Sequence, residues 1–358
     1  MKGIIYILAA VLIFGLLVAL HELGHFLAAK LCGVKVNEFS IGMGPALWSR
    51  KQGETQYSLR ALPIGGFCAL EGEDGEGEDS GDQRSLSRQG FWKKVFIFAA
   101  GAGMNFVTGL VILLALYAGA SGFYVDQISG TAPEFSYQGE EGLLPGDRIY
   151  KVNGYRTYLS GDASLFLSYS RETADIEILR DGVRVSLRDI PRQTCTATDG
   201  SSYQGFGIYI NAVQEPGTLG NKLRYTWYQA LDFVQLVWFS LIQLFTGGVS
   251  VQELSGPVGI VSTITQVGES SKTALMAIRN IAYMAALIAV NLAVMNLLPV
   301  PALDGGRIFF LLVDQAALLL FRRKVPERYQ AYVNTAGFVV LMGFMLLVTL
   351  QDVFKLFR

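Results

Sequence analysis

Residues 3–25 read GIIYILAAVLIFGLLVALHELGH, an uncharged apolar run that continues directly into a motif with two histidines. The apolar part ends at Leu20 and has about the length that spans the hydrocarbon core of a bilayer. If the helix continues past this point, His21 and His25 lie on one face because they are four residues apart. Imidazoles at this spacing bind one zinc ion, and the intervening Glu22 is placed to act as a general base. The stretch therefore predicts a metal site at the end of a membrane-spanning helix.

The composition of the whole chain is typical of a membrane protein. Of its 358 residues, 51% are hydrophobic and 16% are charged, whereas a soluble domain has about 25% charged residues. The net charge of −1 provides no basic surface for nucleic acid, which excludes that class of partner. The two histidines of the motif are the only ones in the chain. The three cysteines, at positions 32, 68 and 195, form neither a CxxC pair nor a disulfide framework.

Four apolar runs are predicted to span the membrane, at residues 3–20, 95–120, 281–303 and 332–350. A fifth run, residues 233–252, carries polar side chains mostly along one helical stripe. This pattern is typical of an amphipathic helix that lies in the membrane interface, and a fifth span is the alternative interpretation.

Two polar segments separate the apolar runs. Residues 122–215 contain β-forming runs and turn signals, including a hairpin turn at Asp181-Gly182, and predict a compact domain in water. Residues 71–82 are acidic and glycine-rich but lack the ligand spacing of an EF-hand, so a solvated linker is expected rather than a calcium site. The predicted order is a first transmembrane helix with HELGH (1–30), a β region with the acidic linker (31–94), a second transmembrane helix (95–120), the β-rich domain (121–215), an interfacial helix and linker (216–275), a third transmembrane segment (276–321), and a basic loop with a fourth transmembrane helix (322–358).

A third metal ligand must come from elsewhere in the chain, because catalytic zinc takes three protein ligands and no other histidine exists. Asp304 is the preferred candidate, since it follows the third apolar run within the sequence NLLPVPALDGG, residues 296–306. Pro299 and Pro301 break the helix there and free backbone groups. Cys32 is the alternative ligand, and capping the next helix is the alternative role of Asp304.

Asp304 can meet the histidines only if the first and third spans run in the same direction. One crossing between them, by residues 95–120, satisfies this condition. A second crossing, by the 233–252 helix, would separate the ligands by about 30 Å, so this helix is expected not to cross. Basic residues at 322, 323, 324 and 328 predict a cytoplasmic loop, with the metal site toward the cytoplasm and the β-rich domain outside.

HELGH in a first span together with NLLPVPALDGG in a later one resembles the site-2 protease family, and the bacterial regulator-of-sigma-E protease type in particular. Residues 38–48 and 62–67 resemble the membrane-reentrant β-hairpin region of that type. Residues 143–154 resemble a PDZ-domain signature, and residues 254–260 resemble the segment that follows the PDZ domain. The resemblance implies a polytopic α-helical membrane protein with four spans, a membrane-associated β-hairpin region on the cytoplasmic side, and one extracytoplasmic PDZ-like domain.

The same resemblance implies a zinc metalloendopeptidase that cleaves peptide bonds within or near transmembrane segments, as in regulated intramembrane proteolysis of anti-sigma factors or remnant signal peptides. The implied partners are single-pass membrane proteins, the lipid bilayer and an unidentified PDZ ligand, and the implied location is the bacterial inner membrane. Its implied site residues are His21, His25 and Asp304 as ligands of one zinc ion, Glu22 as catalytic base, and Asn296 with Pro299 and Pro301 in substrate positioning.

Two other functions remain open at the level of sequence. A non-catalytic membrane adaptor could use a PDZ-like domain to bind partner tails. A transporter could use broken helices and buried ionisable residues, but no inverted repeat of the proline-interrupted segment occurs.

The second span departs from the family pattern, because residues 100–105 read AGAGMN and lack the usual proline. No catalytic role is expected for Asn105.

Overall fold

The computed structural model describes residues 2–73, 82–135, 137, 142–196, 200–250, 254–323 and 325–356. Most of the acidic run at 71–82, and Lys324 of the basic loop, lie outside the described residues. The chain forms two compact units, one of Met1–Ile112 with Ser250–Arg358 and the other of Leu113–Val249.

Long helices dominate the first unit because its apolar runs satisfy their own backbone hydrogen bonds. They are α1 (Lys2–Leu31), α2 (Phe91–Ala118, which continues into the second unit), α5 (Pro257–Ser270), α6 (Ala274–Asn296), α7 (Asp304–Phe321) and α8 (Glu327–Leu356). Ala10 and Leu17 of α1 pack against Ile264 of α5 and Ile288 of α6. This packing holds α1 against the helices that precede the proline-containing segment.

Five helices in the described part of the chain are long and apolar enough to cross a membrane. Four of them overlap the predicted spans, and the fifth, Leu219–Thr246, contains most of the 233–252 run. The predicted third segment is divided between α6 and α7, because residues 297–303 around Pro299 and Pro301 are not helical. These helices and the β sheets agree with a membrane protein that carries a β-rich region.

The hairpin of the first unit consists of two long strands, β1 (Val36–Gln52) and β2 (Thr55–Leu70). Both strands fold back on themselves at bulges. Residues 38–41 of β1 thereby pair with residues 56–59 on one side and residues 66–69 on the other. Within the described ranges, the last segment of β2 has a partner strand on one side only. Val36 and Leu70 close the base of the hairpin in a cluster with Ala28 of α1 and Ile97 of α2.

The second unit is built on a six-stranded sheet. Its strands are β3 (Gly122–Thr131), β4 (Arg148–Val152), β5 (Tyr155–Arg156), β6 (Thr173–Arg180), β7 (Val183–Pro191) and β10 (Ile208–Pro216), in the order β10-β3-β4-β6-β7 with β5 beside β4. The strands β8 (Gln193–Thr196) and β9 (Ser202–Gly205) form a separate ribbon. The predicted hairpin is β6 and β7, and Asp181 and Gly182 at its turn have φ of 50° and 80°.

Helix α3 (Asp162–Ser168) and helix α4 (Leu219–Thr246) complete this unit. Phe239 of α4 enters the core of the sheet beside Phe166 and Tyr155. The side chain of Gln235 donates to the carbonyl of Arg156 and accepts from its amide, at 2.8 and 2.9 Å. Part of the polar stripe of α4 therefore contacts the β-rich domain, where the side chain of Gln235 finds both of its hydrogen-bond partners.

Candidate metal centre

Helix α1 brings His21 and His25 together because it continues without a break past the apolar run. Their Nε2 atoms are 3.1 Å apart, and both side chains are buried. The predicted spacing thus produces a pair of nitrogen atoms aimed at one point.

Asp304, the first residue of α7, reaches the same point from a distant part of the sequence. Its Oδ2 lies 3.0 Å from Nε2 of His21 and 3.3 Å from Nε2 of His25. The tight turn before α7 depends on Gly305 and Gly306, where an added Cβ would lie 2.2 Å and 2.3 Å from backbone carbonyl oxygens. The glycines after the proline segment therefore allow Asp304 to approach the histidines.

The three side chains have the chemistry and separation that a zinc ion requires. A tetrahedral ion with bonds of about 2.0–2.2 Å places its ligand atoms roughly 3.3–3.6 Å apart. The three atoms of His21, His25 and Asp304 lie 3.0, 3.1 and 3.3 Å from one another, slightly closer than this, and they form the one such group of three found among the described residues. Cys32 lies outside this group and packs beside the cluster at the base of the hairpin.

Helix α2 leaves the space for an ion by having no side chain at Gly101. A Cβ at this position would lie 2.3 Å from Nε2 of His25 and 2.7 Å from Nε2 of His21. Any larger residue would therefore fill the point on which the nitrogen atoms converge. The donor set and this cradle fit a bound zinc ion.

The other ring nitrogens of the two histidines also face α2. Nδ1 of His25 lies 2.8 Å from the carbonyl oxygen of Ile97, which makes it a donor, and in the neutral imidazole Nε2 then carries no proton. Nδ1 of His21 lies 3.4 Å from the side-chain amide of Asn105. The sequence predicts the three side chains that converge here but gives no role to Gly101 or Asn105, whose positions beside the histidines depend on where α2 packs against α1.

Glu22 lies next to the hairpin. Its Cγ would be 3.5 Å from a Cβ placed on Gly66, in the last segment of β2. Glu22 is thus between the two histidines in sequence, and its Cγ lies beside the last segment of β2 in space.

The predicted substrate-positioning residues are distributed along one break in the chain. Asn296 ends α6, and Pro299 and Pro301 lie in the non-helical segment that leads to Asp304. Pro301 packs closely on α8, where a Cβ at Gly337 would be 2.3 Å from its ring. This contact holds the part of the segment that lies farther from Asn296.

Comparisons with known proteins agree with this architecture. Residues 9–344 match the model of peptidase family M50. A Clostridium perfringens protein named as a zinc metalloprotease is 36% identical over 352 residues, which cover 97% of this chain and 98% of that protein. The regulator of sigma-W protease RasP of Bacillus subtilis is 28% identical over 430 aligned residues, which cover 98% and 99% of the two chains. With its resemblance to site-2 proteases confirmed in this way, the chain belongs to peptidase family M50.

Proposed function

We propose that this chain is an intramembrane zinc metalloendopeptidase in which His21, His25 and Asp304 hold one zinc ion and Glu22 is the catalytic base. The observation that carries the assignment is the meeting of three ligand atoms from α1 and α7 around the space left by Gly101. Membership of peptidase family M50 and relatives named as zinc metalloproteases support the activity and the metal.

The chemistry follows from the residue types present. When bound, zinc would lower the pKa of a coordinated water and polarise the scissile carbonyl. Glu22 accepts a proton from the attacking water and returns it to the leaving amine nitrogen. The amide of Asn296, at the end of α6, is a donor and acceptor suited to holding an opened peptide backbone. Pro299 and Pro301 keep the neighbouring segment out of the helical conformation.

The substrates are transmembrane segments of single-pass membrane proteins. A transmembrane helix hides its carbonyl groups in its own hydrogen bonds, so it must unwind before it is cleaved. The last segment of β2 offers a strand edge beside Glu22, on which an unwound segment could pair by β-augmentation. Cleavage in this scheme takes place where the added strand passes the metal.

The topology contains four spans, formed by α1, α2, the α6–α7 segment and α8. The convergence of Asp304 with the histidines requires α1 and α6 to run in the same direction, so α4 does not cross. Helix α5 has 14 residues and is too short to span a bilayer, which needs about 20. The packing of α4 on the β-rich domain supports the same conclusion.

The β-rich domain is a PDZ domain on the outer side of the bacterial inner membrane, and the metal site faces the cytoplasmic side. Support for the domain comes from a groove lined by residues of α3, of the edge strand β10 and of the segment 205–207 that precedes β10. Support for the sidedness comes from the exposed Arg322 and Arg323 between α7 and α8. A domain in this position would screen substrates before they reach the membrane site.

Reconstitution of the purified protein in liposomes with a single-pass substrate tests the assignment. Glu22→Gln should retain zinc but lower the cleavage rate by about 10²–10⁴, because the general base is lost while the ligands remain. His21→Ala and Asp304→Ala should lose both zinc and cleavage. Unchanged cleavage by Glu22→Gln would exclude this mechanism, and a metal-free active wild type would exclude the zinc site.

A further inference from the structure

Asn105 is a buried polar residue that the proposed mechanism does not use. Its side chain is 1% exposed, and it lies on α2, facing His21. Nδ2 of the amide is 3.4 Å from Nδ1 of His21, while Oδ1 has no hydrogen-bond partner among the residues that the structure describes. A buried amide oxygen without a partner costs free energy, so the contact calls for an explanation.

The position of the proton on the His21 ring explains this contact. A neutral imidazole that offers Nε2 to a metal carries its proton on Nδ1, which then becomes a donor. A donor at Nδ1 requires an acceptor, and the two ends of an amide occupy nearly the same volume. Rotation of the Asn105 amide by 180° places Oδ1 against Nδ1 of His21 and gives the unpartnered oxygen a hydrogen bond.

The position of Asn105 on α2 supports this role. Ile97, Gly101 and Asn105 follow one another at intervals of four residues and therefore share a face of the helix. The carbonyl of Ile97 accepts from Nδ1 of His25, and Gly101 leaves the space between the imidazoles. On this face, the side chain of Asn105 lies against Nδ1 of His21, just as the carbonyl of Ile97 lies against Nδ1 of His25.

We propose that Asn105 is a positioning residue of the metal centre: its Oδ1 accepts a hydrogen bond from Nδ1–H of His21 and thereby fixes the tautomer and ring orientation that present Nε2 to zinc. The inference rests on the proposed role of His21 as a ligand. Partners of this kind commonly change metal affinity by about 10–100-fold when they are removed. A residue that served only to pack α2 against α1 would have no such effect on the metal.

The test is a zinc titration of the full-length protein in detergent against a chelator of known affinity. Asn105→Leu keeps the approximate volume without an acceptor and should weaken zinc binding by about 10–100-fold. Asn105→Asp keeps an acceptor at the same place and should bind zinc within a few-fold of the wild type. Thr108→Val is the matched control, since the Thr108 hydroxyl donates to the carbonyl of Met104 within its own helix.

A second readout uses the histidine content of the chain. Because the protein has two histidines, ¹⁵N-histidine labelling gives the spectrum of two imidazoles. In the zinc-loaded wild type both rings should be protonated at Nδ1, and Asn105→Leu should alter the Nδ1–H signal of His21 and leave that of His25 in place. These signals separate an effect on the His21 ring from a general loss of structure.

The outcomes distinguish this inference from the proposed function. Tight zinc binding by the wild type with equal affinity in Asn105→Leu would overturn the role of Asn105 alone. Equal weakening by Asn105→Leu and Asn105→Asp would also overturn it, since the acceptor would then be irrelevant. Zinc binding that survives His21→Ala would overturn the ligand assignment on which the inference depends.

Discussion

At Gly101, the absence of a single side chain leaves the proposed metal centre room for an ion. The imidazoles of His21 and His25 converge on the point that a Cβ at this position would occupy. The clash would involve ring nitrogens that are held on α1 and backbone that is held in α2, so neither side can move away cheaply.

Gly101→Ala should lower zinc affinity by at least about tenfold and reduce cleavage in parallel, because the added methyl group lies within contact of both ligand nitrogens. Gly103→Ala is the control, since a Cβ there meets no atom within 4 Å. In an α-helix that change is neutral or stabilising by about 0.5–1 kcal/mol. The measurement is the zinc affinity of both variants. Equal affinity would show that the space left by Gly101 is not required for zinc binding.

At the scale of single residues, some parts of the site can be predicted from the sequence and others cannot. His21 and His25 were predictable because a helix fixes the relation of residues four apart, and Asp304 because the chain contains no third histidine. The positions of Gly101 and Asn105 beside the histidines were not predictable, since the sequence singles out the stretch AGAGMN at residues 100–105 but does not show that it faces α1. Their importance arises only from the packing of α2 against α1, which is a long-range property.

At the scale of elements, α4 combines features of two environments. Its composition allows it to cross a membrane, and the sequence predicts an amphipathic helix at the interface. In the structure Phe233 and Phe239 are buried, and Gln229 accepts a hydrogen bond from Tyr117 at 2.8 Å. Amphipathic periodicity predicts that one face is covered but does not say by what, so the β-rich domain as the covering surface could not be predicted.

If α4 is an integral part of the β-rich domain, removing its central aromatic contact should destabilise that domain. Phe239→Ala removes a ring that packs against Tyr155, Phe166 and Tyr169, and loss of a buried phenylalanine costs about 3–5 kcal/mol. Faster hydrogen exchange should appear throughout strands β4 and β6. Phe245→Ala, at an 86% exposed position of the same helix, should leave exchange unchanged, and similar exchange in both variants would contradict this packing.

At the scale of the whole molecule, the metal centre and the membrane topology constrain each other. A metal site built from α1 and α7 is possible only if an odd number of spans separates α1 from α6, because the ligands must end at the same depth. The sequence could supply this parity argument, but not the number of spans, since five helices among the described residues have the length and hydropathy needed to cross. The local geometry of three side chains therefore bears on the topology of the complete chain.

Labelling of single cysteines with a membrane-impermeant maleimide on intact cells tests this relation. Val183→Cys, at the exposed turn of the β-rich domain, should be labelled, while Gln52→Cys in the hairpin and Arg323→Cys after α7 should be protected. Permeabilised cells should give labelling of all three, and the unsubstituted protein controls for its three native cysteines. If Arg323→Cys were labelled together with Val183→Cys, α4 would cross the membrane. Asp304 would then lie about 30 Å from the histidines across the bilayer, and the metal centre could not form.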